Sequence, residues 1–117
     1  MAWKVAFADE FFAEYAALSK TVQDELLLGA KLLEVYGPGL GRPHVDTLKG
    51  SAYANTKELR FRADGGVWRV AFAFDPKRNA ILLVAGRKSG TRQARFYKRL
   101  IATADARYKA HLERSGS

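Results

Sequence analysis

The sequence predicts an α+β domain, with helices laid on one face of a twisted antiparallel sheet. Three observations carry that expectation. Three strand-like runs, Lys57 to Ala63, Val67 to Asp75 and Ala80 to Gly86, are joined by the short turn-like connectors "DGG" and "PKRN", which is the pattern of a β-meander. Two stretches with helical periodicity precede the meander and a longer one follows it. Finally, 117 residues that are 48% hydrophobic and 12% aromatic hold enough apolar side chain for one core, but too little chain for two ordinary ones. Residues 1–117 therefore read as one domain.

In chain order, "WKVAFA" (Trp3 to Ala8) alternates as a short strand does, and Asp9 is placed to cap a first helix. The apolar residues Phe11, Phe12, Tyr15 and Leu18 recur there at three and four. A second helix runs from about Thr21, which offers an N-cap, with Val22, Leu26, Ala30 and Leu33 on one stripe until "GPGLG" stops it. The two helices form a helical hairpin. "RPHVDTLKGSAYANT" is a loop by composition, the longest in the chain and a candidate for function. The meander follows. A long C-terminal helix, from about Thr91 to Glu113, then repeats Phe96, Leu100, Ala104, Tyr108 and Leu112 at a spacing of four.

Composition excludes several chemistries. With no Cys there are no disulfides, thiolate nucleophiles or Cys-ligated zinc, and the isolated His44 and His111 do not make a usual His-rich metal site. The expected chemistry needs no metal and no cofactor. The N-terminal "MAWKVAFADEFF" lacks the order of a signal peptide, and no apolar run approaches the ~18 residues of a membrane span, so a cytoplasmic protein without membrane contact is expected.

The charge points to a partner. Of the net +8, residues 1–50 contribute five Lys/Arg against seven Asp/Glu, and residues 51–117 fifteen against five. Between Arg87 and Arg99 stand six cations and no acid. Such asymmetry is the footprint of a polyanion binder, since each neutralised phosphate releases counterions. The alternative is that the cations only keep a small domain soluble.

Period two along "KELRFRA" sets Leu59 and Phe61 on one face and Glu58, Arg60 and Arg62 on the other. The next strand sends Trp68, Val70, Phe72 and Phe74 one way and Arg69, Ala71 and Ala73 the other, giving a cationic surface with room for a ligand. Arg60 and Arg62 have a second reading as solubilising residues. Arg69 interrupts an apolar run in the central strand, and a half-buried arginine needs an anion from protein or ligand. Lys88 follows the last strand, where side chains are commonly aimed into a site. Tyr97, one residue from the apolar stripe and flanked by Arg95, Lys98 and Arg99, is either a core-edge aromatic or a residue that stacks on a base or donates a proton.

Together, "PHVDTLKGSAYANTKELRFR", "WRVAFAFDPKRNAILLVAG" and "RFYKRLIATADARY" resemble the HigB-like, phage-related branch of the RelE/ParE superfamily of type II toxins. The resemblance covers almost the whole chain and is most specific from Leu48 to Leu100. It implies a RelE fold with an N-terminal strand and helical hairpin, a three-stranded meander and a long C-terminal helix. It further implies ribosome-dependent, metal-independent mRNA endonuclease activity, and neutralisation by a helix-turn-helix, HigA-like antitoxin. By position it assigns the basic pair of the first meander strand to Arg60 and Arg62, the phosphate-binding arginine to Arg69, the basic residue after the last strand to Lys88 and the base-stacking tyrosine to Tyr97. Asp46 falls where some relatives place a carboxylate general base. Arg87, Arg92 and Arg95 join Arg60 and Arg62 as expected RNA and phosphate contacts. Many members read Gly-Asp-Lys where this chain has "GRK", so Arg87 stands in place of an acid that would orient Lys88 or share in proton transfer.

Metal-free RNA cleavage uses the ribose 2′-hydroxyl as nucleophile and must position the backbone, stabilise charge at phosphorus and move two protons. Guanidinium groups suit the charge, because they fork onto two phosphate oxygens. For the protons only Lys88, Tyr97 and Asp46 qualify, and the sequence does not divide the roles among them. Two alternatives stay open: a ParE-like inhibitor of DNA gyrase without nuclease activity, and a nucleic-acid-binding relative without catalysis.

Overall fold

The computed structural model describes residues 3–88 and 92–116. Its elements are β1 (Lys4–Phe7), α1 (Asp9–Ala16), α2 (Lys20–Tyr36), β2 (Val45–Thr47), β3 (Thr56–Ala63), β4 (Gly66–Phe74), β5 (Asn79–Arg87) and α3 (Gln93–Ser115), with a 3-10 turn at Gly37–Gly39. The five strands make one mixed sheet in the order β1-β5-β4-β3-β2, in which β1 runs parallel to β5 and every other pair is antiparallel. The α+β class and the meander are as the sequence predicts.

Turn chemistry sets the meander's register. Asp64 and Gly65, both at positive φ (52° and 74°), make the two-residue connection that matches the twist of β3 and β4. Between β4 and β5 the Asp75 carboxylate accepts from the backbone N–H groups of Lys77 and Asn79, which closes the second turn. Along β5, Ala71 faces Val84 and Phe72 faces Leu82, so Leu83 is an extra residue in a bulge. Gly37, at φ 52°, ends α2; a Cβ there would run into the Trp3 indole, and Trp3 N–H donates to the Glu34 carbonyl.

Helices cover both faces of the sheet rather than one. α2 lies on the Leu59 face, where Gly29 is so close that an added Cβ would come within 2.7 Å of Leu59 Cδ2. α3 lies on the opposite face, where Tyr97 reaches Glu58 and Phe96 packs over Gly86. Successive strand residues point to opposite sides, so Glu58 and Leu59 alone require two layers of helix. This is why Val70 to Phe74 of the central strand are all buried. α1 sits at the β1 edge, with Phe7 against Phe11, Phe12 and Tyr15.

Three boundaries differ from expectation. Ser19, not Thr21, caps α2, its Oγ accepting from Val22 N–H at 3.2 Å. Asp9 is the first residue of α1 rather than its cap, a position where a carboxylate still meets the positive helix end. The long loop contains β2, three residues that pair with β3. Thr91, the expected start of the last helix, lies outside the described residues.

The ion pairs of α3 are uneven along its length. Arg107 is held by Glu14 at 2.7 Å, and Arg114 by Asp9 and Glu10 at 3.2 Å each. Among the described residues Arg95, Lys98 and Arg99, in its first two turns, enter no ion pair, and the first turn contains no acid. No helix among the described residues is long and apolar enough to cross a membrane.

Candidate functional site

The register of β3 with β4 sets Arg60 directly opposite Arg69, on the sheet face that α3 covers. Two guanidiniums side by side repel, and like charges opposite one another destabilise a sheet unless an anion intervenes. Glu58 supplies it. Two residues along β3 from Arg60 and on the same face, Glu58 is only 3% exposed, and its Oε2 accepts from Arg60 Nη2 at 2.9 Å. Its Oε1 lies 3.8 Å from Arg69 Nε and accepts from the Tyr97 hydroxyl at 2.7 Å. The Arg69 guanidinium stands 5.6 Å from the ring centroids of both Phe96 and Tyr97, within cation–π range.

Outside this cluster opens a cavity of about 490 Å³ lined by Arg42, Asp46, Lys49, Glu58, Arg60, Gln93 and Tyr97 among others. Asp46 comes from β2, which pairs with β3 so that Asp46 faces Glu58. Its carboxylate accepts from Thr47 N–H at 2.8 Å, and lies 2.9 Å from Arg42 Nη2 and 3.7 Å from Arg60 Nη2. The Thr47 amide, then the neighbouring guanidiniums, outweigh partial desolvation and hold the Asp46 carboxyl below the ordinary aspartate value. Burial first, then the bond to Glu58, pushes the Tyr97 phenol above the ordinary tyrosine value, with Arg69 opposing. At neutral pH the site thus presents an ionised, partly exposed carboxylate and a protonated, hydrogen-bonded phenol.

Of the residues singled out in the sequence, Asp46, Arg60 and Tyr97 line this cavity, and Arg69 stands behind Tyr97 with its side chain 16% exposed. The others do not line this cavity. Arg62 is exposed near the β3–β4 turn, and Arg87, at the end of β5, lies across Gly66. Arg87 also lines a second cavity, of about 280 Å³, with Phe96, Arg99 and Leu100. Lys88 is half-buried just after β5; Arg92 and Arg95 are exposed at the start of α3. His44 is exposed, whereas His111 is bound to Asp75 at 3.0 Å. Among the described residues no three His, Asp or Glu side chains converge as a metal shell requires. The residue not singled out is Glu58. Its signal was available, since strand alternation puts an acid beside Arg60 on the face that also holds Arg69.

The model of the family described as "Phage derived protein Gp49-like (DUF891)" matches residues 13–109. Over 90 residues, 75% of this chain, the sequence is 47% identical to "Putative toxin HigB2" of Mycobacterium tuberculosis, although it spans only 44% of that relative's length. It is 43% identical over 93 residues to "Putative toxin HigB3" of the same organism, which covers 80% of this chain and 79% of the relative. Among solved structures, an arginine double mutant of Escherichia coli toxin RelE in the free state is similar with a TM-score of 0.59 over 87% of this chain and 96% of that one, at 14% identity. That likeness speaks to fold. The chain belongs to the phage-derived Gp49-like (DUF891) family, HigB-like in sequence and RelE-like in fold.

Proposed function

We propose that this chain is the toxin of a type II toxin–antitoxin pair, a ribosome-dependent endoribonuclease that cuts message without a metal ion and is neutralised in the cytoplasm by a helix-turn-helix, HigA-like antitoxin. The observation that carries the reading is the gathering of Arg60, Arg69, Tyr97 and Asp46 around one buried carboxylate beside an open cavity. The names and sequence identities of the two mycobacterial relatives support it.

In this reading the ribose 2′-oxygen attacks the adjacent phosphorus, and a 2′,3′-cyclic phosphate and a 5′-hydroxyl result. Asp46, ionised at neutral pH, takes the 2′-hydroxyl proton. Arg60 and Arg69 stabilise the charge that grows on the phosphorane-like centre. Tyr97, whose phenol is held protonated, cannot serve as base, so it stacks on or orients the substrate base. Lys88 remains to protonate the departing 5′-oxygen. Arg62, Arg87, Arg92 and Arg95 guide the backbone. The modest proton-transfer set leaves much of the positioning to the ribosome.

Purified protein, stripped of bound metal with EDTA and then freed of the chelator, should be mixed in magnesium buffer with programmed ribosomes and separately with the same message free in solution. Codon-linked cuts in the ribosome-bound message and an intact free message are expected. Fast cutting of free RNA would refute ribosome dependence. DNA breaks with intact messages after induction in cells would instead identify a gyrase inhibitor.

A further inference from the structure

The geometry points to Glu58 as a positioning residue, whose buried carboxylate fixes the Tyr97 hydroxyl and the Arg60 guanidinium in their converging arrangement before any substrate arrives. This rests on the endoribonuclease reading. Four observations support it. Glu58 sits inside a regular strand pair, opposite Ala71, and a strand positions a side chain more precisely than a loop does. It is 3% exposed, so its charge has been taken out of water and demands partners. Both its oxygens are used, Oε2 by Arg60 at 2.9 Å and Oε1 by Tyr97 at 2.7 Å. Finally, its partners come from two elements remote in sequence, β3 and α3, so the carboxylate is the joint that fixes the first turns of α3 against the sheet.

The arrangement also separates tasks. A carboxylate buried under Tyr97 and already engaged on both oxygens is poorly placed to take a proton from a ribose, whereas Asp46, 26% exposed on the cavity wall, is reachable. Without Glu58, Arg60 and Arg69 would face each other across the strand pair with no anion between them, and each would turn toward water. The phenol would lose its acceptor. The cations would remain, but not where a phosphate could meet both.

The charged groups facing the Tyr97 phenol are Glu58 and Arg60 from β3 and Arg69 from β4. The test is Glu58→Gln, which keeps the volume and removes the charge. Two readouts are taken on the full chain: the Tyr97 phenol titration, read as the difference from Tyr97→Phe, and single-turnover cleavage of ribosome-bound message. The inference expects the phenol to titrate at lower pH than in wild type, because an anion that favoured the protonated form is gone. It expects the cleavage rate to fall about tenfold or more with ribosome affinity within about twofold, because misplacement alone costs that much. It also expects the double variant Glu58→Gln/Tyr97→Phe to lose less than the product of the two single losses, since Tyr97→Phe already breaks one of the two contacts that Glu58 makes while the Arg60 contact remains to be lost. An unmoved phenol titration, or rate losses that simply multiply, would overturn it. Should Glu58→Gln not fold, Glu58→Asp keeps the charge but withdraws it by one methylene, and the same losses are expected. A wild type that leaves ribosome-bound message intact overturns the endoribonuclease reading instead; the phenol titration then upholds or overturns the anchoring on its own.

Discussion

Replacing Arg69 by alanine removes a side chain that is 16% exposed, with Nε 3.8 Å from Glu58 Oε1 and the guanidinium carbon 5.6 Å from the centres of two aromatic rings. Two separable losses follow. Each cation–π contact is worth about 0.5–1 kcal/mol at such a site. The ion pair adds about another 0.5 kcal/mol, little because no hydrogen bond closes it and because Glu58 keeps Arg60 and Tyr97 as partners. The fold should therefore lose about 2 kcal/mol, or roughly 8 °C in melting temperature for a domain of this size. Catalysis should lose more. A preorganised donor to a developing oxyanion is worth about 3 kcal/mol, on the order of a hundredfold in rate. Single-turnover cleavage of ribosome-bound message at 25 °C, where the variant is still folded, separates the two effects. Arg69→Lys keeps the charge but neither the fork nor the flat surface against the rings, so its rate should fall between the two. A folded Arg69→Ala protein that cuts at the wild-type rate would refute the reasoning and leave Arg69 a structural partner of Glu58.

Two further outcomes test the scaffold. Asp75 is 6% exposed; burial raises its carboxyl, but the bonds from His111, Asn79 and Lys77 outweigh that and leave it below the ordinary value of 3.8. A depressed folded-state value stabilises the fold above the unfolded value and is lost as pH falls through the folded one. Asp75→Asn should therefore cost more stability at pH 6 than at pH 2.5, and an equal difference in urea midpoints at both would contradict the assignment. Gly29→Ala should destabilise by about 1 kcal/mol. Its gain of about 1 kcal/mol in helix propensity is exceeded by crowding against fully buried Leu59, for which about 2 kcal/mol is ordinary, and a raised melting temperature would sink this account.

What the sequence disclosed was local. Alternation and turn residues located β3, β4 and β5 to within a residue or two, because both are written in neighbouring positions. The parallel pairing of β1 with β5 was not legible, since it joins residues about 75 positions apart through no local signal. β2 is three residues long and exists only because β3 offers it an edge. The placement of helices on both faces follows from Leu59 and Glu58 each needing cover, which becomes evident once Glu58 is known to be buried. At the site, alternation grouped Arg60 with Arg62 and singled out Arg69. It could not say that Arg60 faces Arg69, or that Tyr97 would descend on the acid between them. Charge counting worked against Glu58: one acid among many cations reads as noise until geometry shows it at their centre. Ser19 and Thr21 offered α2 two hydroxyls two residues apart, and Ser19 prevailed with a second bond, to Asp64 at 2.6 Å.

The uneven pairing along α3 gives one helix two electrostatic halves. The C-terminal half has cations paired with α1 through Arg107 and Arg114. The N-terminal turns, held to the sheet by Tyr97 and Phe96, carry Arg95, Lys98 and Arg99 close to one another and to the positive end of the helix dipole, so the field they present to solvent depends on ionic strength. A polyanion bound there would offset both the mutual repulsion of these cations and the positive end of the helix dipole, whose N-cap residue Arg92 makes no side-chain capping bond.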